Sequence, residues 1–143
     1  MYLEIILPIL STALAQIIKL FTNKDKAKKR NKLFAYSGFP SGHTALVTSL
    51  AVIIGLKEGF ESTFFAISLI LAVLIITDAL GLRTYLGKHG KQLNALVKDL
   101  DEDKYLDEKY PKLLEKIGHS PIQVIAGVLL GTIISIFGYL LFA

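Results

Sequence analysis

Five ionisable side chains stand at or near the ends of long apolar blocks: Lys19, His43, Asp78, Arg83 and His119. Ionisable groups close to bilayer depth are costly unless they pair or function, so their grouping calls for a chemical account. His43 lies within Phe39-Pro40-Ser41-Gly42-His43-Thr44-Ala45 and His119 within Gly118-His119-Ser120-Pro121. Each histidine opens an apolar block, where the free amides of a helix N-terminus favour anions. Arginine grips phosphate oxygens through two parallel hydrogen bonds, and imidazoles exchange protons near neutral pH. Two histidines, a lysine, an arginine and two helix N-termini therefore describe a phosphate site.

Each residue also has an ordinary structural role open to it. Lys19 can snorkel to the headgroups, and Asp78 with Arg83 can form an ion pair at a helix end. Ser41 and Thr44 can cap the block they open, and either histidine can sit at the membrane interface. His89, within Gly87-Lys88-His89-Gly90, reads as a surface residue of a mobile connection. A competing arrangement takes His43, His119 and Asp78 as metal ligands, but no local ligand spacing supports it. The chain has no cysteine, which excludes disulfides and thiolate metal sites.

The elements that must position these residues are membrane spans. A spanning helix needs about 20 mostly apolar residues, and residues 2–22, 62–81 and 121–143 qualify. Residues 41–57 form a shorter block whose start is expected below the headgroups, inside protein. Ala13-Leu14-Ala15 resembles a signal-peptide cleavage site, but Glu4 stands where a basic n-region would be, so a retained span is expected. Fourteen of the sixteen lysines and arginines fall between the first and second blocks or between the third and fourth. That bias puts both connections in the cytoplasm and both termini outside. The five ionisable residues then share the cytoplasmic face.

The connection of about residues 82–120 carries Leu93, Leu96, Val97 and Leu100 at helical spacing, then Leu106, Tyr110, Leu113 and Ile117. The spacing predicts two short amphipathic helices on the membrane or over the site, with Pro111 breaking or starting a turn in the second. The expected architecture is all-α: one integral membrane domain over 1–143, with about four transmembrane helices and one or two short cytoplasmic ones. Gly127 and Gly131 form a small-residue pair suited to close packing against another copy of the chain or, as expected here, another span of the same monomer. The net charge of +4 points to anionic headgroups or phosphate ligands and not to nucleic acid, because no aromatic-interleaved basic surface accompanies it.

Three segments in order resemble the type 2 phosphatidic acid phosphatase superfamily, relatives of the vanadium haloperoxidases, and most closely its divergent branch. They are Pro40-Ser41-Gly42-His43, Asp78-Ala79-Leu80-Gly81-Leu82-Arg83 and Gly118-His119-Ser120-Pro121. The resemblance implies phosphomonoester hydrolysis through a phosphohistidine, without metal or other cofactor. His119 would match the nucleophile and His43 the acid that protonates the leaving group. Arg83, Lys19 and the amides near Ser41 and Gly42 would stabilise the charge building on the phosphoryl oxygens.

The sequence departs from the wider superfamily at three points. The first motif, Lys-x6-Arg-Pro, is absent, and Lys19, or Lys29 with Arg30, stands in for it. Arg83 is separated from His119 by the long connection, and Gln123 occupies the place of an acidic residue four after the nucleophile. Gln123 can orient the imidazole without stabilising its charge, a task left to Asp78 from a neighbouring helix. The expected partner is a phosphorylated lipid: a polyprenyl phosphate or diphosphate, or a relative of phosphatidic acid. The alternative is a non-catalytic protein that binds or moves phospholipid headgroups.

Overall fold

The computed structural model describes residues 2–22, 38–100, 112–115 and 117–142. Among them are five helices: α1 (Leu3–Thr22), α2 (Gly42–Glu58), α3 (Thr63–Leu80), α4 (Leu82–Leu100) and α5 (Pro121–Phe142). Three stretches are long and apolar enough to cross a membrane: α1, α3 with its continuation into α4, and α5. The expected blocks agree with α1, α2, α3 and α5 to within one residue at each end.

α2 differs from the others in kind. At 17 residues it extends about 25 Å, and it packs against α1, α3 and α5. Its buried positions, Gly42, Thr44, Ala45, Val47, Ser49, Ala51, Ile53 and Gly55, run almost all the way round. Small residues there let the neighbouring backbones approach, the usual basis of close packing within a membrane. A Cβ on Gly127 would lie 2.5 Å from the Ser41 carbonyl oxygen, and one on Gly131 would strike the Ala45 carbonyl. The glycine pair on α5 thus packs against α2 within the monomer, as expected.

Hydroxyls then tie the helices together. Ser11 Oγ donates to the Pro8 carbonyl at 2.8 Å and reaches Ala45 O at 3.0 Å, while Thr12 Oγ1 donates to Gly42 O at 2.7 Å. The Ser49 and Ser135 hydroxyls lie 2.7 Å apart, with Ser135 Oγ also 2.9 Å from Ser49 O. Bonds of this kind contribute about 0.6 kcal/mol each on average in a membrane helix bundle. An ion pair between Glu4 and Lys57 joins the start of α1 to the end of α2. At the other end Thr22 Oγ1 donates to Phe39 O at 2.9 Å. α1 and α2 are therefore antiparallel, and so are α2 and α3, whereas α2 and α5 run side by side in the same direction.

The connection after α3 departs from expectation. Gly81 caps α3 with φ −99° and ψ −88°, away from helical values of about −63° and −42°, so the axis changes direction there. The helix resumes at once as α4, and His89 lies exposed on it. The second expected amphipathic helix is not helical where it is described. Leu113 and Ile117 belong to an extended strap, and Leu106 and Tyr110 lie outside the described residues. The strap runs back along α4. A Cβ on Gly87 would lie 2.5 Å from Glu115 O, and one on Gly90 would lie 2.6 Å from Leu114 O. Asn94 fastens it: Leu113 N donates to Asn94 Oδ1 and Asn94 Nδ2 donates to Leu113 O, each at 2.9 Å. This pairing satisfies strap backbone groups that a helix would have satisfied internally.

Candidate functional site

At one end of the bundle the C-terminal ends of α1 and α3 meet the N-terminal ends of α2 and α5. α1 brings Lys19. Its buried face repeats as Leu3, Leu7, Ser11, Ala15 and Lys19, a strict four-residue stripe on one side of the helix. Lys19 is 2% exposed, so it turns into the protein and does not snorkel. No ion pair among the described residues includes it. Gln16, one turn earlier, has a buried Oε1 without a hydrogen-bond partner. A Cβ on Gly42 would lie 3.2 Å from Gln16 Nε2, which sets this side chain beside the start of α2. Sequence reading overlooked Gln16, although its three-residue spacing from Lys19 was the available signal.

α2 brings Ser41, Gly42 and His43. Ser41 is the N-cap, accepting from Thr44 N at 3.4 Å and from Thr44 Oγ1 at 2.9 Å. The ordinary capping role of these hydroxyls is thus realised. Ser41 N donates to Gln123 O at 2.9 Å, which joins the starts of α2 and α5. The amides of Gly42 and His43 belong to the first turn, which has no carbonyl a turn earlier to bond. His43 is exposed.

His119 arrives on the end of the strap. Gly118 before it has φ 97°, and a Cβ there would lie 2.7 Å from Thr84 Oγ1 and 2.9 Å from Thr84 N, so both the conformation and the space require glycine. His119 N donates to Ala79 O at 3.1 Å. His119 is 5% exposed, and neither ring nitrogen has a hydrogen-bond partner. Burial foremost, then the positive charges of Lys19, His43 and Arg83, lowers its pKa from 6.5 to about 4. The His43 and His119 ring centroids are 6.3 Å apart with the planes at 75°.

Asp78 and Arg83 form an ion pair, Arg83 Nε to Asp78 Oδ2 at 2.6 Å, with both side chains partly exposed. Asp78 therefore holds the guanidinium, and no bond from it to His119 is present. Gln123 is also engaged elsewhere. Its Oε1 accepts from Ser120 N at 3.0 Å while Gln123 N donates to Ser120 O. The side-chain bond is the glutamine half of a capping box at the start of α5. The expected alignment of the His119 ring by Gln123 or Asp78 gives way to these two structural bonds. Among the described residues no three His, Asp or Glu side chains gather as metal ligands, so the triad of His43, His119 and Asp78 does not form. Lys29 and Arg30 lie outside the described residues.

A cleft of about 460 Å³ reaches His119 between the end of α3 and the start of α5. Leu80, Ile117 and Pro121 supply apolar wall, and Thr84 and Ser120 supply hydroxyls. The site thus combines a buried cation without an ion pair among the described residues, a second cation held by a carboxylate, two imidazoles set edge-on and two helix N-termini. Such an arrangement suits a tetrahedral oxyanion.

The chain is similar to the uncharacterized membrane protein YuiD of Bacillus subtilis (strain 168). The two are 36% identical over 110 residues, covering 69% of this chain and 68% of that protein. With the three long apolar stretches, this likeness marks a membrane protein. No solved structure matches the chain. The family model described as the divergent PAP2 family matches residues 3–134, which hold every site residue from Lys19 to Gln123, and the chain belongs to that family.

Proposed function

We propose that the protein is a metal-independent phosphatase of a lipid phosphate, working through a phosphohistidine on His119 at the cytoplasmic face. The observation that carries this reading is the edge-on pair of imidazoles, 6.3 Å between centroids, beside a buried lysine that no carboxylate of the described residues pairs. In-line transfer needs a nucleophile about 3–3.5 Å from phosphorus and an acid about 2.6–3.2 Å from the departing oxygen. With the breaking bond between them, these distances put the two nitrogens about 7–8 Å apart, so the rings, 6.3 Å apart at their centroids, open by a few ångströms to take the phosphoryl group in line.

In the first step a neutral His119 nitrogen forms a bond to phosphorus as the phosphorus–ester oxygen bond breaks, and that oxygen takes a proton from His43. In the second, neutral His43 takes a proton from water as the water oxygen bonds phosphorus and the nitrogen–phosphorus bond breaks. Inorganic phosphate leaves, and both histidines return to their starting states. Lys19, Arg83 and the Gly42 and His43 amides stabilise the charge on the phosphoryl oxygens. Asp78 is a positioning residue for Arg83. The apolar wall of the cleft, Leu80, Ile117 and Pro121, favours a lipid over a soluble ester, and a polyprenyl phosphate or diphosphate or a phosphatidic acid suits it. With α2, enclosed by the other three, read as a fourth crossing, both termini share one side, and the lysine and arginine bias of the connections supports the outer one.

Purified protein in detergent is expected to release inorganic phosphate from such lipids without added metal, with inhibition by vanadate. His119→Ala should abolish release, and full activity in that variant would overturn the phosphohistidine. A second reading, headgroup binding or movement without hydrolysis, draws on the absence of any carboxylate bonded to the His119 ring. Vanadate binding with no phosphate release from any of these lipids would favour it.

A further inference from the structure

We infer that α4 is a docking surface for an anionic bilayer, lying along the cytoplasmic headgroup layer with its leucines toward the acyl chains. The helix carries Leu82, Tyr85, Leu86, Leu93, Leu96 and Leu100, all exposed. At about 100° per residue these fall on one side. Lys91 and Lys98 fall on the opposite side, Lys88 lies on one flank with its ammonium over the Tyr85 ring, and Gly87, Gly90 and Asn94, which seat the strap, lie on the other flank. Among the described helices α4 touches only α3, so no described helix covers the apolar side.

Two observations name the occupant. A single residue, Gly81, separates α4 from a membrane span, so its first turn is already at the bilayer surface. The helix also holds four basic residues (Arg83, Lys88, Lys91, Lys98) against one acidic residue, Asp99. A leucine side backed by a lysine side is the pattern of a helix lying in the interface, and cytoplasmic anionic lipids attract such lysines. A second copy of the chain would cover the leucines but would leave the lysine excess unanswered. The inference needs only that the protein spans a membrane and stands whether or not His119 performs hydrolysis.

The absence of native cysteine permits single spin labels along α4 in the full chain. Leu86→Cys, Leu93→Cys, Leu96→Cys, Lys88→Cys, Lys91→Cys and Lys98→Cys would be labelled in nanodiscs of phosphatidylcholine, with and without phosphatidylglycerol. Collisions with oxygen, which concentrates in lipid, and with a water-soluble nickel chelate would then be compared. The expected result is oxygen preference at the three leucine positions, chelate preference at the three lysine positions, and a larger contrast when phosphatidylglycerol is present. Replacing the other lysines by glutamine should remove that lipid dependence. Chelate preference at the leucine positions would mean a helix standing in water and would overturn the inference. Shielding from both reagents, meaning cover by another part of the chain, would overturn it too. So would strong dipolar broadening between labels at position 93, meaning a second copy.

Discussion

A histidine that titrates near pH 4 is neutral at pH 7, and the neutral imidazole is the form that attacks phosphorus. For His119 this state follows from burial and from the cations around it. NMR of isotope-labelled histidine in the free protein, assigned with His119→Ala, should give a midpoint near 4 for this ring. A midpoint near 6.5 would show a solvated imidazole instead. The sign for stability follows from linkage. Between pH 6.5 and about 4 the unfolded chain takes up a proton that the folded ring refuses. This ring's effect is therefore absent above pH 6.5, lowers stability progressively through that window, and levels off below about 4. The grouping of Lys19, His43, Asp78, Arg83 and His119 was legible in the sequence, because each stands at the end of an apolar block and the lysine bias assigns all those ends to one face. The burial of Lys19 was less so: a lysine at a span end fits snorkelling equally well, and only the stripe from Leu3 through Ser11 and Ala15 distinguishes the two. The occupation of Asp78 by Arg83 depends on rotamers, about which spacing says nothing.

Among the elements, α5 begins with a capping box that the sequence did announce, since Ser120 is followed three residues later by Gln123. Family resemblance drew Gln123 toward His119 and away from that reading. The bond to Ser120 N gives the substitutions a clear order. Gln123→Glu keeps the cap and should leave thermal stability in detergent unchanged, whereas Gln123→Ala should lower it by about 0.5–2 kcal/mol. The glycines of α5 also differ in what they face. A Cβ on Gly131 meets Ala45 O and lies 3.0 Å from Ser49 N, whereas one on Gly138 meets only the Leu7 side chain. Side chains can rotate aside and a helix backbone cannot. Gly131→Ala should therefore disperse the protein into aggregates on size exclusion, while Gly138→Ala should elute as the parent does. Leu113 and Ile117 match a helical spacing without being helical, because apolar residues three and four apart satisfy that template wherever they occur. What holds Leu113 extended is Asn94, nineteen residues earlier, and no local window contains both.

For the molecule as a whole, the contrast that matters is between α2 and its neighbours. α1, α3 and α5 turn most of their length outward, with Ile5, Ile9, Phe64, Ile70, Leu129 and Phe137 among the exposed residues. α2 turns inward along most of its length, which explains why the most weakly apolar block can carry Thr44 and Ser49 at buried positions. This architecture has a consequence for biogenesis. Among the described helices α2 is second in chain order, yet its most extensive partner is α5, the fifth. Until α5 arrives, the Ser41 amide lacks the Gln123 carbonyl and Ser49 lacks the Ser135 hydroxyl. A polar helix of marginal length then waits in or beside the bilayer half-solvated, a natural target for quality-control proteases. A chain ending at residue 120 tests this. Ala45→Cys, at a position with no exposure in the full chain, should be shielded there from a membrane-permeant maleimide and modified in the truncated form. Equal protection in both would show that α1 and α3 suffice to house α2. With the expected outcome, assembly is sequential: α5 seats His119 and completes the packing of α2 in one event, so chains lacking α5 are both unprotected and inert.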